Sequence, residues 1–141
     1  MIKLAGIDHV VLRAIDLAAM LQFYCEVLGC QVERRQDSIG LVQLRAGAQL
    51  IDLVSVEGKL GRQGGRPPGG EGHNMDHLCL LLENYDESAI LMHLRAHHVR
   101  VGERGSRYGA HGEGPSLYLY DPQGNMLELK GPPVRVSASD A

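Results

Sequence analysis

One pattern is written twice in this chain. Gly6-Ile7-Asp8-His9-Val10-Val11-Leu12 and Asn74-Met75-Asp76-His77-Leu78-Cys79-Leu80 each set Asp-His before alternating aliphatic residues. Self-similarity of this kind means that one supersecondary unit is used twice, which narrows the available folds more than any single motif. A helical segment follows each run. Over 16–29, Leu17, Met20, Leu21, Tyr24 and Leu28 form a continuous apolar stripe, Asp16 is placed to cap the start and Gly29 to end it. The second helix is expected from about 86 to 97, with Ile90, Leu91, His93 and Leu94 on its inner face.

Three strand-like segments come after each helix, 31–35, 40–45 and 48–55 in the first half and 99–103, 116–120 and 125–130 in the second. The last of each set match again, Leu50-Ile51-Asp52-Leu53 against Met126-Leu127-Glu128-Leu129. The expected fold is therefore α+β, two βαβββ modules forming a cupped mixed sheet with helices packed outside. Module 1 covers about 6–56 and module 2 about 74–131, in one domain of residues 1–134. Residues 57–73, rich in Gly and Pro, read as a flexible connector carrying Lys59, Arg62 and Arg66. The extra length of the second half falls mostly in a Gly-rich loop at 105–115, and 135–141 reads as a flexible tail.

Composition excludes several functions. A net charge of −3 and an aromatic share of 4% supply neither a field for nucleic acid nor a platform for stacked bases. No apolar run is long enough to span a bilayer, and the start of the chain lacks a signal-peptide pattern. Cys25, Cys30 and Cys79 are odd in number and lack CxxC spacing, so they read as reduced, buried thiols of a cytoplasmic protein.

Each half thus carries a His on its first strand and a carboxylate on its last. Residues two apart on a strand share a face. If the outer strands of a half lie close, His9 and Asp52, or His77 and Glu128, point into one concave surface. Buried imidazoles and mutually repelling carboxylates are costly to leave unpaired, and a divalent cation resolves the cost. Such N/O ligation suits Zn²⁺, Ni²⁺, Mn²⁺, Fe²⁺ or Co²⁺ and does not choose between them. Asp8 and Asp76 alternate to the opposite face, as surface residues or as supports for the ligands.

These strands resemble the two His strands of the vicinal-oxygen-chelate superfamily, which includes glyoxalases, bleomycin-resistance proteins and dioxygenases. Phe23-Tyr24-Cys25-Glu26-Val27-Leu28-Gly29 is similar to that family's "FY…LG" segment. Asp121-Pro122-Gln123-Gly124-Asn125-Met126-Leu127-Glu128-Leu129 is similar to its most specific signature. The resemblance implies metal ligands at His9, His77 and Glu128, with Asp52 where glyoxalase I enzymes carry Glu. It implies enediolate and proton-transfer chemistry of the lactoylglutathione lyase type, with Glu128 and Asp52 as candidate catalytic bases. The substrate would be a small oxygenated molecule such as a glutathione adduct, and the protein a homodimer. Tyr118, Ser116, Arg107 and Tyr120 are the candidate substrate contacts. Gly112–Tyr118 also resembles fosfomycin-resistance enzymes, with Tyr108 where those place a Lys and Ser137 where they place a late Arg. Epoxide opening, and binding without turnover as in bleomycin-binding relatives, are the alternatives.

Overall fold

The computed structural model describes residues 1–134, so the tail expected over 135–141, Ser137 included, lies outside the described residues. The chain divides into two compact units, Met1–Asn74 and Met75–Ala141. The first contains β1 (His9–Ala14), α1 (Leu17–Gln22), β2 (Gln31–Gln36), β3 (Leu41–Ala46) and β4 (Gln49–Ser55). The second contains β5 (Leu78–Leu81), α2 (Glu87–Ala96), β6 (Val101–Gly109), β7 (Gly112–Tyr120) and β8 (Met126–Lys130). Each unit is βαβββ around a four-stranded mixed sheet, ordered β1-β4-β3-β2 in one and β5-β8-β7-β6 in the other.

Period-two alternation sorts each sheet into an apolar and a chemical face. In the first unit Leu12, Ala14, Val42, Leu44, Ile51 and Leu53 are buried on one side, together with Met20, Phe23 and Tyr24 of the helical segment. In the second, Leu117, Leu119, Leu127 and Leu129 are buried, as is Leu94 of α2. The opposite faces carry the candidate site residues. Their registers coincide: Val11 lies opposite Asp52, and Cys79 opposite Glu128. Each of these partners follows its histidine by two positions, so the imidazole stands one same-face step from the carboxylate in both units. On the antiparallel side Gln43 faces Asp52, and Tyr118 faces Glu128.

Both helices start on the expected aspartates. Asp16 accepts from the Ala19 amide at 3.0 Å and Asp86 from the Ala89 amide at 3.1 Å. Three sequence expectations need correction. After Gln22 the first helix widens into a π-helical turn, Phe23–Val27. The wider turn rotates the stripe, so Phe23 joins the core while Leu28 is only half-buried. On α2, His93 is exposed instead of facing inward, its ring 4.7 Å from that of His97. The loop expected over 105–115 is a long hairpin, with β6 and β7 paired down to Gly109 opposite Gly112. Glycine hides strand alternation, and here it is used for room: a Cβ on Gly105 would lie 2.6 Å from Arg107 Nη1.

The connector is also more ordered than its composition suggests. Residues 61–64 form a 3₁₀ turn that belongs to the first unit. Arg13, on β1, donates to the carbonyls of Gly61, Gly65 and Arg66 at 2.7–3.2 Å. Asn74 returns a bond to the Arg13 carbonyl at 3.0 Å.

In the second unit a buried Asx turn sets the start of β8. Asp121, 5% exposed, accepts from the Gln123 and Asn125 amides at 2.9 and 3.0 Å and from Asn125 Nδ2 at 2.8 Å. Gly124, at φ +86°, takes the left-handed position the turn requires. The "DP-G" signature is thus a fastening that fixes where Glu128 enters the sheet. Asp121→Ala leaves buried donors unmet and should destabilise the protein by about 2 kcal/mol. Denaturant unfolding checks this, and an unchanged midpoint would contradict it.

Candidate functional site

His77 immediately precedes β5, and β8 carries Glu128 at its centre. His77 Nε2 lies 3.4 Å from Glu128 Oε1, and the glutamate side chain is 7% exposed against 32% for the imidazole. The other ring nitrogen, Nδ1, is 2.5 Å from Asp76 Oδ2. A carboxylate on Nδ1 fixes the tautomer and leaves Nε2 as the ligating or proton-accepting atom. Tyr118 braces the same imidazole edge-to-face, ring centroids 5.5 Å apart. Its hydroxyl accepts from Arg107 Nε at 3.3 Å, while Arg107 Nη2 reaches Glu103.

The first unit repeats the arrangement in a variant form. His9 Nδ1 lies 2.7 Å from Asp8 Oδ2. That hydrogen bond raises the His9 pKa above its ordinary value, against a smaller desolvation effect, with Asp52 adding a Coulombic contribution in the same direction. Asp52 is 4% exposed; Gln43 Nε2 donates to its Oδ2 at 3.2 Å, and its Oδ1 is buried without a partner. The shared role of Asp8 and Asp76, orienting an imidazole, is one of the two roles alternation left open for them.

Within each unit, an imidazole held through Nδ1 and a buried carboxylate on the same face are nitrogen and oxygen donors of the kind that suits a divalent cation. Among the described residues, no three His, Cys, Asp or Glu side chains are gathered as one ready cluster. What each unit presents is a histidine and a carboxylate on one face.

The second unit also holds a cavity of about 290 Å³, lined in part by His77, Cys79, Tyr108, His111, Glu128 and Lys130. The other candidates divide. Ser116 is fully buried with its Oγ unpartnered, and Tyr118 and Arg107 stand on the face of Glu128. Tyr120 has its ring covered by Arg100, 3.8 Å away. Arg104 lies 3.8 Å from Glu87 of α2. Sequence reasoning missed Gln43 and Lys130. Alternation could have placed both on the site face, since Gln43 is a polar residue flanked by the apolar Val42 and Leu44 and Lys130 follows Glu128 by two.

All three cysteines are free, but only Cys30 is buried; Cys79 opens to the cavity. Partial burial, the charge of Glu128 and a hydrogen bond to it push the Cys79 thiol up to about 11. A thiol raised in this way stays protonated at neutral pH, which removes it as a nucleophile. Alkylation of Cys79 at pH 7 should run roughly 100-fold slower than that of free cysteine and climb towards pH 11. Peptide mass mapping reads the rate, and labelling as fast as free cysteine would refute the assignment.

Comparison with known proteins agrees with this architecture. The Glyoxalase/Bleomycin resistance protein/Dioxygenase superfamily matches residues 6–129. "Virulence protein STM3117" of Salmonella typhimurium is 33% identical over 124 residues, 87% of this chain and 81% of that protein. Its crystal structure superposes with a TM-score of 0.76 at 27% identity, covering 93% of this chain and 99% of the other. Catechol-2,3-dioxygenase of Bacillus subtilis is 30% identical over 115 residues; the match takes in 81% of this chain but only 37% of that enzyme. Lactoylglutathione lyase from Agrobacterium tumefaciens shares the fold, with a TM-score of 0.65, 22% identity, and 90% and 93% of the two chains covered. No helix among the described residues is long and apolar enough to cross a membrane.

Proposed function

Because this chain belongs to the Glyoxalase/Bleomycin resistance protein/Dioxygenase superfamily, we propose that it is a metal-dependent enzyme acting on a small oxygenated substrate, nearest in chemistry to glyoxalase I. The observation that carries this reading is the pairing of His77 with buried Glu128, its second ring nitrogen held by Asp76. The same Asp-His-carboxylate pattern recurs at Asp8, His9 and Asp52. His9, Asp52, His77 and Glu128 are the proposed ligands. A divalent cation, of the Zn, Ni, Mn, Fe or Co type, supplies polarisation of two neighbouring substrate oxygens when bound.

The chain's own groups divide the remaining work. Asp52 is the fixed carboxylate, one oxygen pinned by Gln43. Glu128 is longer by a methylene, lies 3.4 Å from His77 Nε2 and lines the cavity. That favours Glu128 as the base that takes a proton from one substrate carbon and returns it to the next. Asp76 and Tyr118 hold the imidazole so that Nε2 faces the reacting side. The same reading takes the protein as a cytoplasmic homodimer with residues 1–134 as one functional domain.

A second reading, opening of a phosphonate epoxide as in fosfomycin resistance, draws support from Arg107. Its guanidinium lies 5.2 Å from the Tyr118 ring on the face of Glu128. The deciding experiment is metal analysis of the purified protein, then turnover with each metal on glutathione hemithioacetals and on fosfomycin. Full turnover after metal stripping would defeat both readings. Tight ligand binding with no turnover on any metal would favour a binding protein.

A further inference from the structure

Lys130 stands two residues beyond Glu128 on the same face of β8 and lines the same cavity. It is 6% exposed. Lysine is almost never buried this far without a partner for its charge. Its Nζ donates to the Arg107 carbonyl at 2.6 Å. No carboxylate of the described residues is within ion-pair distance of it. An ammonium has three donors, and one neutral carbonyl answers one of them.

The β6–β7 hairpin lies close over Lys130. A Cβ on Gly109 would lie 2.7 Å from Lys130 Cε, while one on Gly114 would meet the Pro132 carbonyl oxygen first, at 2.8 Å, with Nζ at 3.1 Å. A lysine that served only to tie β8 to β6 would not need to border a cavity. At about 290 Å³ the space takes a small molecule, at the lower end of ligand pockets.

We propose that Lys130 anchors an oxyanion, a carboxylate or a phosphate, carried by the small molecule that enters this cavity. The proposal rests on the metal-site reading for the other end of that molecule. A cation beside Glu128 would take its neighbouring oxygens while Lys130 takes its acid group. The substrate class is therefore a small oxygenated acid, whose negative charge the cavity recognises one strand step from the reacting atoms.

Titration of the full-length, metal-stripped protein with inorganic phosphate and with acetate tests this, by calorimetry and by the Lys130 side-chain NMR resonance. At least one anion should bind saturably and shift that resonance, and which one does so separates phosphate-bearing from carboxylate-bearing substrates. Lys130→Met should weaken binding at least roughly tenfold, while Lys130→Arg retains most of it. Zinc affinity should be unchanged in Lys130→Arg. If Lys130→Met fails to fold, the wild-type resonance and the arginine variant decide. Unchanged anion affinity in Lys130→Met, or no response of Lys130 to millimolar phosphate or acetate, overturns the proposal. A protein that binds no divalent metal yet shows the Lys130-dependent anion effect would lose the metal reading and keep this site.

Discussion

Glu128→Gln should lower the affinity for a divalent metal at least roughly 100-fold and abolish metal-dependent turnover, with the fold intact. The amide matches the carboxylate in shape, so β8 keeps its packing, but it offers a neutral oxygen in place of an anionic one. His77→Ala should do the same by removing the imidazole. Asp76→Ala should have a smaller effect, about 10–100-fold in affinity, because it frees the ring without deleting it. Elemental analysis and zinc titration measure all three. An independent signal accompanies Glu128→Gln: the charge that helps to raise the Cys79 thiol is gone, so Cys79 should alkylate faster at pH 7. Unchanged metal affinity in both Glu128→Gln and His77→Ala would end the metal-site reading.

Gly61→Ala should be the most damaging small substitution for the fold. A Cβ there would lie 1.8 Å from the Ser55 carbonyl oxygen, 2.5 Å from its carbon and 2.8 Å from Val56 Cα. All three are backbone atoms at the end of β4, so no side chain can swing aside. The turn must lift, and lifting it pulls the Gly61 carbonyl from Arg13 Nε and Nη2. The cost should be about 3 kcal/mol, a drop in melting temperature on the order of 10 °C. Gly69→Ala is the control, since a Cβ there meets nothing within 4 Å. Equal melting temperatures for the two variants would contradict this account.

The two units were legible in the sequence because strand alternation and the repeated Asp-His and carboxylate positions survive in both halves. Asp16 was legible as a cap for a local reason: three residues separate cap and amide. What escaped notice depends on contacts distant in sequence or on glycine. The β6–β7 arms were hidden because Gly105, Gly109, Gly112 and Gly114 carry no side chain to show a period. The π-helical turn changed the phase of a stripe that straight-helix counting had fixed, so Phe23 was missed as a core residue. Lys130 was passed over because alternation shows which face a strand residue takes but not how deeply it is buried. Gln43 was visible only as one polar residue among aliphatic ones, since its contact with Asp52 requires β3 and β4 in register.

The grip of Arg13 bears on how a chain like this can change over generations. One guanidinium gathers carbonyls from Gly61, Gly65 and Arg66, so a single codon decides whether that stretch is scaffold or slack. While the arginine stays, each inserted residue would drag an oxygen off its donor, and the length of the segment is held under selection. Once it is lost, the same stretch becomes loose rope, where lengthening costs little and new sequence can accumulate.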